Sequence, residues 1–335
     1  MEDLGIKLVK SYPVIYEIYL SMRENDWTEV KLKNAIREDK PKIVLLKFDE
    51  KQVLKKIVTI FNGLDSIISK YLSKEFINHF DHPEIQCAFG LQNNQEIIHQ
   101  ITYNEYANVY FEGEELKEIR QDQSPQIFID WVKKYIPGNK YINLSPKKKA
   151  ALLGLVKKEK LIQTKDDLMA KEILASCLIE GVFIPTFFAQ IFWFKDQGLL
   201  DGFTKGNEYI EIDEDWHLTL AIVVYNILSC KIEESYFHEM IRSFYLVIQD
   251  YCKYLKELNC PGLSFNGLML FTEHRFDLVL ERLGYNKLFN SVHHLEYMRT
   301  REIKLRSTLF FTSYSTEYNQ PNFDADDQEL DFDEC

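Results

Sequence analysis

Two glutamate–histidine pairs stand out among the residues able to do chemistry: Glu96-Ile-Ile-His99 and Glu214-Asp-Trp-His217. On a helix, a three-residue step puts both side chains of a pair on one face. A carboxylate and an imidazole held that way can grip one metal ion together. Either pair alone reads as readily as a solvated helical pair, because so short a motif recurs by accident.

Two further carboxylates change that balance. Glu180 lies inside Ile173–Phe194, a 22-residue run with no other formal charge. Asp65 lies within Ile60-Phe-Asn-Gly-Leu-Asp-Ser-Ile-Ile, where the helical spacing calls for an apolar residue. A carboxylate in a core needs a partner. Asp65, Glu96, His99, Glu180, Glu214 and His217 together make the di-iron carboxylate set of helical bundles. Such oxygen and nitrogen donors with open positions suit Fe(II) or Mn(II). Four carboxylates against two divalent cations also cancel charge, which makes burial feasible. Tyr103 follows His99 on the same face, roughly 6 Å further along the axis at 1.5 Å per residue. A phenol there can lose an electron and a proton to a metal–oxygen centre. Taken singly, as one of 19 tyrosines, it would be a core residue.

The elements that must position these residues are helices. Val53, Ile57, Ile60, Phe61, Leu64 and Ile68 recur at three- and four-residue steps, which predicts a helix from Asp49 to about His79. Asp81-His-Pro breaks it, and Pro83 opens a second helix to about Phe111. Further helices are expected over Pro125–Tyr135, Pro146–Ile162, Asp166–Gln197, Glu208–Ser229, Glu233–Leu258 and Phe265–Leu283. Gly198 supplies a stop signal after the apolar run. No repeat and no linker divides the chain, so the expectation is one all-α domain over residues 1–312 and a separate tail over 313–335.

The chain has 335 residues, of which 46% are apolar and 27% charged, an ordinary globular balance. With 13 glycines and 9 prolines it is poor in turn residues, which argues against an all-β fold. The net charge of −12 argues against nucleic acid as a partner. Eight acids lie between Glu317 and Glu334 and no Lys or Arg follows Arg306, so the body is only mildly acidic and the tail is a distinct, flexible segment. The basic run Lys147-Lys148-Lys149 reads as a solvated helix start. Six cysteines form no C-x-x-C pair and no secretory leader is evident, which predicts reduced thiols and a cytoplasmic protein. Ile173–Phe194 is long enough to span a membrane, but a carboxylate at its midpoint would cost about 3 kcal/mol there. It is better read as a helix buried on all sides. No G-x-x-x-x-G-K phosphate loop is present.

With those residues in place, the chain resembles the small, radical-generating subunit of class I ribonucleotide reductase, from about Trp27 to Tyr318. The family's order is Asp, then Glu-x-x-His with Tyr four residues on, then Glu, then Asp-Glu-x-x-His. Here it reads Asp65, Glu96, His99, Tyr103, Glu180, Asp213, Glu214, His217. Phe192-Trp-Phe-Lys-Asp-Gln-Gly-Leu-Leu and Leu283-Gly-Tyr-Asn-Lys are similar to the family as well. The resemblance implies a ferritin-like bundle with a buried dinuclear site, two Fe ions per chain (or Mn), O2 as co-reactant, and a tyrosyl radical at Tyr103. It implies that Trp27 and Asp213 carry electrons at the metal site and that Tyr318, with Tyr314 as competitor, relays the radical. It also implies a homodimer, and a large subunit that binds the C-terminal tail and reduces ribonucleoside diphosphates. Phe323, Leu330 and Phe332 would anchor that tail. A related di-metal oxidase with its own substrate would use the same ligands but requires neither Tyr318 nor the tail.

Several positions depart from the family pattern. Ile184 stands where an aromatic residue is common, and Pro185 after it is expected to kink the helix. Ile184, Phe188 and Ile210 would form the apolar wall near Tyr103. Ile212 stands where eukaryotic members often have Arg, and the chain ends Asp-Phe-Asp-Glu-Cys rather than in Phe.

Overall fold

A computed structural model describes residues 11–80, 82–121, 126–135 and 165–302, the side chains at 63–76, 78–79 and 165–166 excepted. The expected helix over 146–162, the Lys147–Lys149 run, Tyr314, Tyr318 and the acidic tail lie outside the described residues, as does the Asp65 side chain. Among the described residues there is no β-strand beyond an isolated bridge between Cys260 and Leu263.

The helices are α1 (Pro13–Glu24), α2 (Lys33–Ile43), α3 (Phe48–His79), α4 (Pro83–Tyr110), α5 (Gly113–Gln121), α6 (Gln126–Tyr135), α7 (Lys165–Leu178), α8 (Ile184–Asp196), α9 (Asp201–Ile227), α10 (Glu234–Cys252) and α11 (Phe265–Arg282). The long antiparallel pair α3–α4 packs along its length, and α9 lies against α2, α7 and α8. Pro83 opens α4 because a helix's first turn has no use for the missing N–H. Ser264 caps α11 by accepting the Gly267 N–H at 3.1 Å.

The apolar run is the bundle's centre. Asp167–Asp196 is one helical stretch long and apolar enough to cross a membrane, and its most apolar window is entirely buried within the protein. Ten-residue stretches of it, such as Ile184–Trp193, have no exposed side chain. Burying a Phe or Leu stabilises by about 1.5–3 kcal/mol, so a helix apolar all round is stable only where neighbours cover every face.

Just ahead of Pro185 the helix departs from regular α geometry. Residues Ile179–Phe183 form a π-turn, in which the Ile184 N–H reaches the Ile179 carbonyl. Pro185 then starts α8, where it needs no donor. The carbonyl that an α-helical residue 185 would have satisfied belongs to Gly181, and Arg275 Nε donates to it at 2.9 Å. A Cβ at Gly181 would meet Val279 at 2.5 Å, so only glycine lets α11 approach there.

The sequence also placed the start of α9 too late, at Glu208. The helix begins seven residues earlier, after Leu200, which takes a left-handed conformation (φ 51°). Two glycines in that first stretch obscured it. A Cβ at Gly202 would come within 2.1 Å of the Ala35 carbonyl oxygen, and one at Gly206 within 2.0 Å of the Tyr106 hydroxyl. These glycines mark close approach of α9 to α2 and α4, not a break. The buried Asp39 carboxylate accepts the Phe203 N–H at 2.8 Å, satisfying a donor of the first turn. The five described cysteines, Cys87, Cys177, Cys230, Cys252 and Cys260, are free thiols.

Candidate metal centre

Two helix faces and one turn converge. On α4, Gln92, Glu96, His99 and Tyr103 recur at four, three and four residues, and all are buried. On α9, Asn207, Ile210, Glu214 and His217 recur at three, four and three residues, also buried. The π-turn contributes Glu180, 1% exposed.

One donor atom each from Glu96, Glu180, Glu214 and His217 lies within 4.8 Å of the others, close enough for a shared metal. His99 Nδ1 stands 3.2 Å from Glu214 Oε1 and 3.7 Å from Glu96 Oε2. His217 Nδ1 lies 2.9 Å from Glu214 Oε2 and 3.2 Å from Glu96 Oε1. Five of the six expected ligands are therefore brought together; the sixth, Asp65, lies on α3 with its side chain outside the described residues.

The far side of each imidazole is held by an acceptor. His99 Nε2 donates to Asp213 Oδ2 at 3.0 Å, and the same oxygen accepts from Trp27 Nε1 at 2.8 Å. Gln95 Nε2 donates to the other Asp213 oxygen at 3.0 Å, while Gln95 Oε1 accepts from His217 Nε2 at 3.0 Å. In their neutral forms both histidines must then carry the proton on Nε2. Both Nδ1 lone pairs face carboxylate oxygens, as they would to ligate a metal. Trp27 also stacks between His99, with ring centroids 6.0 Å apart, and Tyr209, at 5.6 Å.

Acceptors facing acceptors need a cation between them. Both Glu96 carboxylate oxygens and His99 Nδ1 are buried without a hydrogen bond. Burial opposes a charged His99, yet Asp213, Glu214 and Glu96 hold its pKa well above the usual value. His217 is likewise pushed up to about 9, with Glu214 and Glu96 outweighing burial. Burial alone would raise the Glu214 pKa, but His217 and His99 pull it well below the carboxylate range. The cluster stabilises positive charge, and its carboxylate and imidazole donors fit divalent iron or manganese.

Tyr103 is fully buried. Phe61 lies flat against its ring (centroids 4.4 Å, 6°), and Phe187 and Phe188 flank Phe61. Ile184 and Ile210 are buried too, but the stacking partner is Phe61. The Tyr103 hydroxyl donates to Asn207 Oδ1, and Asn207 Nδ2 donates to the Phe203 carbonyl at 2.8 Å. Sequence reasoning missed Asn207 because it lies in the stretch of α9 taken for a loop. It missed Gln92 and Gln95 because only acids and histidines were sought. Gln92 Nε2 donates to Glu180 Oε1 at 3.2 Å, and the signal available was amide side chains flanking Glu96 on a buried face.

Comparison with known proteins gives one answer. A family model described as "Ribonucleotide reductase, small chain" matches residues 8–294. The ribonucleoside-diphosphate reductase small subunit of Dictyostelium discoideum is 25% identical over 301 residues, spanning 89% of this chain and 82% of that protein. Subunit M2 of the Mesocricetus auratus enzyme is 25% identical over 324 residues, spanning 96% and 77%. Among solved structures, the R2 subunit from Clostridium botulinum superposes with a TM-score of 0.68 at 20% identity, covering 86% of this chain and 88% of that one. The Rnr4 homodimer from Saccharomyces cerevisiae gives 0.69 at 19% identity, covering 89% and 87%. These two likenesses concern the fold.

Proposed function

This chain belongs to the ribonucleotide reductase small-chain family, and on that premise we propose that it generates a tyrosyl radical at Tyr103 beside a dinuclear metal centre and delivers it to a large subunit. The observation that carries the reading is the buried set Glu96, His99, Glu180, Glu214 and His217 with Tyr103 one turn further along the helix of Glu96 and His99. Asp65 is the proposed sixth ligand. Two iron ions held there, with O2, would supply the oxidising equivalent that takes one electron and one proton from Tyr103.

The protein's own residues do the rest. Asp213 fixes the His99 tautomer and joins it to the Trp27 indole, so Trp27–Asp213–His99 is the proposed line for electrons between the surface side and the centre. Phe61, Phe187 and Phe188 keep water from Tyr103, which a neutral phenoxyl radical requires. Asn207 accepts the Tyr103 hydroxyl and orients it. Tyr318 is proposed to relay the radical onward, and the acidic tail to dock on the large subunit by folding on binding. A homodimer is proposed from the family. The pocket that reaches Glu180 and Glu214 holds about 30 Å³, room for a water or two or for O2.

Metal-free protein given Fe(II) and then O2 tests the reading by low-temperature EPR with iron counted alongside. A tyrosyl doublet with about two irons per chain is expected. Iron without a radical would move the weight to the oxidase. Loss of the tail residues should abolish activity with a large subunit and leave the radical intact.

A further inference from the structure

A second cluster of metal-ligating side chains lies outside this centre. His274 is on α11, His293 on the extended segment that follows, and Glu302 in the helical residues 296–302. One donor atom from each lies within 4.8 Å of the other two. His293 Nε2 is 3.5 Å from Glu302 Oε2. Ligands on a tetrahedral cation at ~2.0–2.1 Å sit about 3.3 Å from one another, so this edge is already set. The two imidazole rings are 5.0 Å apart at 50°, angled rather than stacked.

Several features fit a site rather than a simple ion pair. His293 is 3% exposed and turns its Nε2 toward Glu302 Oε2, while Glu302 Oε1 faces Arg275 at 3.8 Å. His274 is hydrogen-bonded to the Ser291 backbone, the kind of outer contact that orients a ligating imidazole. Burial lowers the His274 pKa, and His293 and Arg275 lower it further against the pull of Glu302. Glu302 also lines the pocket that reaches the first cluster, together with Arg275, Glu211, Asp215, Glu180 and Glu214. Glu211 is paired with Arg301 and Asp215 lies 3.9 Å from Arg282, which leaves Glu180, Glu214 and Glu302 as the carboxylates that face the pocket without an arginine of their own beyond Arg275.

We propose that His274, His293 and Glu302 form a third divalent-cation site, for ions of the Zn(II) or Fe(II) class, that stages metal at the pocket leading to Glu180 and Glu214. The staging role rests on the dinuclear reading above; the site itself does not.

Full-length protein is stripped with chelator, loaded with Co(II), desalted and its metal counted by mass spectrometry. His293→Gln and, separately, His274→Gln are expected to retain about one ion fewer per chain than the parent, with unchanged melting temperature. A Glu96→Ala/His217→Ala variant is expected to keep that one ion, which separates failure of this site from failure of the dinuclear centre. Parent-like stoichiometry in both glutamine variants, or no ion left in the double variant, would overturn the site. Stopped-flow Fe(II) uptake at limiting metal reads the staging: His293→Gln should fill the centre several-fold more slowly to the same final occupancy. An unchanged rate overturns that role.

Discussion

The chain holds two histidine–carboxylate clusters, and they differ in charge and in how they are built. In the first, His99 and His217 face Glu96, Glu180 and Glu214, and the imidazoles are driven toward the protonated form. In the second, one carboxylate faces two imidazoles with Arg275 close by, and His274 is driven toward the neutral form. The same residue types thus sit in opposite fields. The first is over-supplied with negative charge and needs more than one cation to be neutral. The second is close to balance and suits a single ion. The first also stands on long helices whose faces are locked by packing, whereas the second draws ligands from a helix, a loop and the last described turn.

The largest expected effect breaks the first cluster and leaves the second alone. Glu96→Ala with His217→Ala should remove the dinuclear metal and reductase activity together; metal counting and an assay with a large subunit check it. Next, Tyr103→Phe should keep the metal and lose both the radical signal and activity. Retained activity would refute the Tyr103 assignment. Arg275→Met touches both regions, because Arg275 donates to the Gly181 carbonyl and lies 3.8 Å from Glu302. Losing that donor should cost about 1–3 kcal/mol in chemical denaturation and slow metal filling. Gly202→Ala probes the packing that sets the first cluster's register. Its Cβ would strike a backbone carbonyl, and about 1–3 kcal/mol of destabilisation is expected. Smallest, His274→Gln should shift unfolding by well under about 1 kcal/mol in metal-free protein, since the residue is only half-buried.

Much of the first cluster was legible because helical periodicity is local. Glu96, His99 and Tyr103 share a face by spacing alone, as do Glu214 and His217, and a lone charge in an apolar run betrayed Glu180. Helix boundaries were legible where proline marks them, as at Pro83. They were not at the start of α9, where the expected helix began at Glu208 and only the neighbouring helices show Gly202 and Gly206 to be points of contact. Pro185 marked a distortion, but nothing local says that the chain accommodates it with a π-turn and a donor from Arg275, 94 positions from the Gly181 carbonyl it serves.

The sequence by itself determined the all-helical class and which acids and histidines share a helix face, because each depends on residues within a turn or two of one another. Tertiary structure alone decided that Gln95 bridges Asp213 and His217, that Asn207 holds the Tyr103 hydroxyl, that Arg275 satisfies Gly181, and that His274, His293 and Glu302 meet. Those pairings depend on the register between helices. Register is set by close packing at points such as Gly202 against Ala35, and no spacing along one helix encodes which residue of another will lie opposite.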